Sequence, residues 1–94
     1  MMLKIEDLRR LCSDINIRET KHARHRLRSR GLRLSDIKNA IMNGEIIEQY
    51  ESSEPAASCL VLGLDTKKVN IHVVVSIHKE KLCIITAYCP DPLR

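Results

Sequence analysis

Along the first half of the chain the apolar positions recur every three or four residues. Ile5, Leu8, Leu11, Cys12 and Ile15 form one stripe with Asp7, Arg9 and Arg10 outside it, which predicts an N-terminal helix within residues 1–18. Thr20 is placed to cap a second helix, whose thin stripe is Ala23 and Leu27 and which Gly31 would end. Ser35 is placed to cap a third, with Ile37, Ala40 and Ile41 inward and Gly44, after Asn43, as its stop. From Gly44 onward the period shortens to two and β-branched residues take over. The runs EIIEQY, SCLVLGL, VNIHVVVSI and LCIITAY read as four strands, separated by ESSEPAA, DTKK and KEK. Links as short as the last two join antiparallel neighbours, so the last three strands are expected to form a meander. The expected fold is α+β: two to three N-terminal helices packed on one face of a four-stranded, mainly antiparallel sheet. No repeat, low-complexity segment or linker divides the 94 residues, which read as a single domain.

Alternation then assigns the sheet faces. Val69, Ile71, Val73, Val75 and Ile77 share one side of their strand, opposite Asn70, His72, Val74, Ser76 and His78. In the last strand Cys83, Ile85, Ala87 and Cys89 share a side, opposite Leu82, Ile84, Thr86 and Tyr88. If the purely apolar rows pack on the helices, His72, Ser76, Thr86 and Tyr88 come to the second face, where polar groups on a sheet surface point to chemistry.

Composition sharpens this picture. With no Trp or Phe, and only Tyr50 and Tyr88, the core must be aliphatic. No apolar run approaches the ~18 residues of a membrane span, and charges stand where a signal peptide would be apolar, so a cytoplasmic protein with no membrane partner is expected. Cys12, Cys59, Cys83 and Cys89 lack zinc-site spacing; three of them fall in apolar strand-like runs and read as buried free thiols.

Charge is uneven. Residues 1–44 carry eleven Lys and Arg against five Asp and Glu, a balance of +6; residues 45–94 carry five against seven, a balance of −2. The segment KHARHRLRSRG alone holds five of the sixteen Lys and Arg. Within it His22, Arg26 and Arg30 lie at i, i+4 and i+8, and Arg24 and Arg28 form a second such pair. Such a row is either a solvated face paired with Glu45, Glu48 or Glu51, or a set of guanidinium forks that grip phosphate. His72 in mid-strand is either a half-buried imidazole bonded to a neighbour or a proton-transfer group. Tyr88 is a packed strand aromatic or a hydroxyl that reaches phosphate. His22 and His25 have no third ligand at a suitable spacing, so no metal site is expected. His78 reads as exposed at a hairpin. A Gly-rich phosphate loop, a nucleophile elbow and paired acids of the metal-nuclease kind are all missing from the pattern.

The segments KHARHRLRSRGL, SDIKNAIMNGEIIEQY, SCLVLG, IHVVVSI and IITAYCPDP together resemble the domain-of-unknown-function family 4258 from about residue 19 to the end, leaving the first helix outside. The resemblance implies a layout similar to RelE-like and BrnT-like toxins of toxin–antitoxin systems and to barnase-like nucleases. It further implies partners such as RNA, free or on the ribosome, and a zinc-finger antitoxin, with no cofactor. An aromatic and basic continuation past Pro92 is also implied, which these residues do not contain. The positions it singles out are His22, Arg26, Arg30, His72, Thr86 and Tyr88.

The expectation is therefore a metal-independent endoribonuclease of type II toxin kind, with His72, His22, Tyr88 and Thr86 as catalytic candidates and Arg26, Arg30, Arg24 and Arg28 as phosphate-binding candidates. The rivals are a non-enzymatic RNA- or antitoxin-binding module and a small structural protein whose basic helix is plain surface. Scarcity of aromatic platforms argues against tight sequence-specific capture of free single strands. Apolar residues on both faces of HVVVSI suggest a second covered surface, such as a homodimer contact or a docked antitoxin.

Overall fold

The helical stripes and the inward rows of the strands meet in one aliphatic core. In the computed structural model, which describes residues 2–90, the helices are α1 (Ile5–Arg10), α2 (Lys21–Ser29) and α3 (Leu34–Asn43). The strands are β1 (Ile17–Glu19), β2 (Glu45–Tyr50), β3 (Ser58–Leu64), β4 (Asn70–His78) and β5 (Lys81–Tyr88). They form a mixed sheet in the order β1-β5-β4-β3-β2, in which β2 to β5 are an antiparallel meander and β1 runs parallel to β5. α3 lies across β3 and β4, α2 lies against β5 and β1, and α1 packs on α3. Leu8, Leu27, Ile37, Ile41, Val61, Val73, Val75 and Ile84 are among the buried residues they share. No helix among the described residues is long and apolar enough to cross a membrane.

Local chemistry explains where α2 and α3 begin and end. Thr20 Oγ1 accepts the Ala23 N–H at 3.0 Å. At the other end Gly31 takes φ +70°, while the Leu32 N–H bonds to Leu27 O (2.8 Å) and the Gly31 N–H to Arg28 O (3.1 Å), a Schellman closure with Leu27 and Leu32 both buried. α3 departs from expectation at its start: Arg33, in extended conformation, holds the N-cap position and Ser35 is the second residue of the helix, within its first turn. Asp36 does the capping work, because its Oδ2 accepts the Arg33 N–H at 2.9 Å while its Oδ1 accepts the Thr66 N–H (3.0 Å) and hydroxyl (2.6 Å). Burial pushes this carboxyl up, but the bonds from Thr66 and Arg33 outweigh it and hold the carboxyl below its usual range. α3 stops at Gly44, and a methyl added at Gly63 of β3 would lie 2.2 Å from Ala40 O. Helix and strand backbones thus touch. Arg9 of α1 ties the third helix down, donating from Nε to Ile41 O (3.2 Å) and from Nη2 to Gly44 O (2.8 Å).

The sheet differs from expectation in two respects. It has five strands, not four, because the chain after Arg10 turns through Ser13, whose carbonyl accepts from Asn16 and Ile17, and then pairs Ile17–Glu19 with Leu82–Ile84. The first helix is correspondingly short, and Ile15, assigned to its stripe, is 76 % exposed. Strict alternation also fails in β5. Pairing steps from Val74↔Thr86 to Val75↔Ile84, so Ile85 is bulged; Leu82, Ile84 and Ala87 all face the core, while Ile85 is turned out, 42 % exposed. The thiols follow suit: Cys59 is buried, and burial pushes it up to about 11, but Cys12 and Cys83 are half-buried and Cys89 is exposed. The β4–β5 hairpin turns on Lys79 and Glu80, both at positive φ, as a two-residue turn of the primed type requires. Of the Pro-Asp-Pro ending, Asp91 and Pro92 lie outside the described residues.

Candidate functional site

The face of the sheet away from the helices carries polar groups in ladder register. His72 pairs with Tyr88, Val74 with Thr86 and Ser76 with Cys83. The bulge at Ile85 is what turns Thr86 and Tyr88 to this side while Ile84 stays inside. The His72 and Tyr88 rings meet edge to face, centroids 5.3 Å apart at 76°. His72 Nδ1 is buried and has no hydrogen-bond partner among the described residues. A partner at one ring nitrogen normally fixes which of the two bears the proton. Here no neighbour of Nδ1 fixes it.

The second component comes from α2. β1 pairs with β5 through Ile84 and no further, so the stretch that follows is an unpaired edge. Arg30, at the C-cap of α2, fills it: its Nη1 donates to Ala87 O and to Thr86 Oγ1, each at 3.0 Å. Because Thr86 Oγ1 accepts that bond, its own hydrogen is free for another acceptor. Arg30, Thr86, Tyr88 and His72 therefore form one contiguous patch of polar side chains along the open face and its edge.

The remaining candidates divide around the helix. Ala23 and Leu27 are buried, which sends the two basic rows to opposite sides of α2. His22 lines a groove of about 470 Å³ that also takes in Ser76 and Cys83, four residues along β4 from His72. Arg26, exposed, stands between His22 and Arg30 in the same row. Arg24 and Arg28 belong elsewhere, in a cleft of about 420 Å³ with Arg33 floored by Leu27 and Leu32. Arg24 is paired there with Glu19, Nε to Oε1 3.0 Å, and not with the acids of β2. Thus the structure joins His72, Tyr88, Thr86 and Arg30, leaves His22 and Arg26 along the rim, and separates Arg24 and Arg28.

Two features lie outside the candidates read from the sequence. Tyr50 donates its hydroxyl to Glu48, and that bond, with burial and the Glu48 charge, pushes the phenol up to about 12. Their i, i+2 spacing in EIIEQY places both on one face of β2, so the signal was present in the sequence. The groove beside His22 has no such signal, because its walls come from the β1–α2 junction, the β2–β3 loop and the β4–β5 hairpin.

A family described as Domain of unknown function (DUF4258) matches residues 20–89, which takes in α2 through β5 and excludes α1 and β1. Neither the curated proteins nor the solved structures contain a match.

Proposed function

The chain belongs to the DUF4258 family, and we propose that this member is a metal-independent endoribonuclease of toxin type, resembling the RelE-like and BrnT-like toxins. The supporting observation is the single patch on the open face in which His72 and Tyr88 stack edge to face and Arg30 is bonded to Thr86, two residues along β5. In this reading a ribose 2′-oxygen attacks the adjacent phosphorus and the bond to the 5′-oxygen breaks. His72 takes the 2′-hydroxyl proton at Nε2, and Tyr88 supplies a proton to the departing 5′-oxygen. Thr86, Arg30 and Arg26 donate to the non-bridging oxygens as charge builds there. The products are a 2′,3′-cyclic phosphate and a 5′-hydroxyl. His22 is assigned to the bound strand and not to proton transfer, since the groove it lines reaches Ser76, roughly 13 Å along β4 from His72 at about 3.3 Å per residue.

One observation favours a second reading, a non-enzymatic RNA- or antitoxin-binding module. The Arg30 guanidinium already serves two protein oxygens, as a group stapling a helix to a sheet edge would. The same basic rim would then bind an anionic partner without turnover, with affinity that falls steeply as salt rises.

The deciding experiment incubates purified protein and its His72→Ala variant with end-labelled RNA in EDTA, free and ribosome-bound. The nuclease reading expects cleavage by the parent to 2′,3′-cyclic ends and loss of at least about a hundredfold in the variant. Equal cleavage by both removes His72 from the chemistry. Salt-sensitive binding without cleavage on either template selects the binding module.

A further inference from the structure

The groove that begins beside His22 has the form of a ligand site. Its volume of about 470 Å³ falls within the ~300–1,000 Å³ of small-molecule pockets. Ile85, Pro55 and Ala56 give it apolar walls, and His22, His78 and Ser76 supply a few polar groups. Ile85 is there because the β5 bulge turns it outward, 42 % exposed, instead of into the core. Bulges commonly re-aim a side chain beside a binding site. The two imidazoles are planar surfaces whose edges also make hydrogen bonds, the combination proteins use against unstacked bases.

Charge selects the occupant. The groove opens at the head of the row His22, Arg26, Arg30, in which each step of four residues advances about 6 Å along the helix, a spacing suited to successive phosphates of an extended strand. Arg18 stands at the same mouth. Of the acids in the lining, Glu19 is bound to Arg24, and Glu54 is an exposed acceptor on the loop. An apolar slot at one end of a cationic track fits a base attached to a phosphate chain better than it fits an acidic peptide, which would place its charges against no apolar counterpart along α2.

We infer that this groove seats a nucleobase of the RNA strand, about one to two nucleotides from the phosphate held at Thr86, Tyr88 and His72. The inference rests on the nuclease reading for that placement, and it adds a subsite that gives base preference to a chain poor in aromatic residues. Arg26 bridges the two ends, contacting the phosphate between the seated base and the scissile bond.

The test titrates each of the four nucleoside 5′-monophosphates, and ribose 5-phosphate, into the protein while recording amide resonances. At least one nucleotide is expected to bind about tenfold more tightly than ribose 5-phosphate, with shifts centred on Ala56, Ser76, Cys83 and Ile85. Ile85→Glu should abolish the advantage and His72→Ala should retain it. Ala56→Glu, in the half-buried loop wall, gives an independent occlusion if the first variant is poorly folded. Equal binding of all five probes, or an advantage that survives both occluding variants, overturns the inference. RNA cleavage in EDTA is read separately. A base advantage without cleavage keeps the nucleotide seat and removes the nuclease; cleavage without a base advantage does the reverse.

Discussion

Replacement of Arg30 by Ala discriminates between a residue that holds the fold and one that waits for a ligand. Nη1 of Arg30 makes two bonds of 3.0 Å, to Thr86 Oγ1 and to Ala87 O, on the part of β5 that β1 does not reach. A buried bond to a charged group contributes about 1.5–3 kcal/mol, but this guanidinium is exposed and the freed oxygens would meet water, so each is worth nearer 0.5–1 kcal/mol. The pair then contributes about 1–2 kcal/mol, which in a domain of this size lowers the melting temperature by roughly 5–10 °C. Thr86→Val removes one bond, keeps the β-branched shape, and should cost about half as much. Combining the two changes should show a coupling of about 0.5–1 kcal/mol, since the second loses nothing the first had not already removed. Arg30→Lys keeps the charge but not the fork, so it should fall between parent and Arg30→Ala in stability. Thermal and urea unfolding followed by circular dichroism measure the parent and its four variants. A melting temperature for Arg30→Ala within about 1 °C of the parent would refute the staple.

Three further outcomes follow from the packing and the perturbed groups. Gly63→Ala puts a methyl 2.2 Å from Ala40 O and should destabilise by about 3 kcal/mol or more in urea unfolding, whereas Gly31→Ala, with open space around it but φ +70°, should cost only about 1 kcal/mol; comparable losses would mean that α3 can back away from β3. Asp36 has its folded-state pKa held below the unfolded value, so its contribution is present above about pH 4 and is lost as pH falls through the folded value; Asp36→Asn should flatten this acid limb of the stability curve and, by stranding N–H donors, cost about 1–2 kcal/mol at neutral pH, and an unchanged limb would show that other carboxyls set it. In an alkaline spectrophotometric titration the Tyr50 phenol should ionise at about 12, and Glu48→Gln should bring it back toward 10; no movement would mean that the bond to Glu48 is not what raises it.

The chain announces its strands because each is a β-branched run between polar turns. The runs at 45–50 and 58–64 match β2 and β3 residue for residue; the run at 69–77 is offset from β4 by one position at each end, and that at 82–88 falls one residue short of the start of β5. β1 was not legible: three residues, one of them apolar and inward, are too few to show a period. Nor was the bulge, which is a property of hydrogen-bond register. Its consequence is instructive, since strict alternation groups Ile84 with Thr86 and Tyr88 on one face, whereas Ile84 is core and the other two are not. The helix rows could be read from i, i+4 spacing alone. That Arg30 would be spent on Ala87 O, and Arg24 on Glu19, could not, because both acceptors are fixed by how α2 crosses the sheet edge.

That crossing joins the short first strand to the site. β1 pairs for three residues, and Thr20 caps α2 immediately afterwards, so the chain leaves the sheet just where the β5 bulge begins. A longer β1 would continue along β5 and take the Ala87 carbonyl into its ladder. Arg30 would then lose its acceptor and the basic row its place beside Thr86. The early exit leaves an unpaired edge, ordinarily a liability in a sheet, and the helix that covers it brings cations with it. Edge protection and the placement of the basic row are thus met by the same residues, and the bulge that turns Thr86 and Tyr88 outward sets them beside that row on the open face. Deletion of Ile85, the extra residue, should therefore restore regular pairing of β5 with Ile84 and Ala87 still inward and Thr86 and Tyr88 still outward, so that amide exchange along β5 slows while the Arg30 bond to Thr86 persists; loss of the β4 pairing would refute this register.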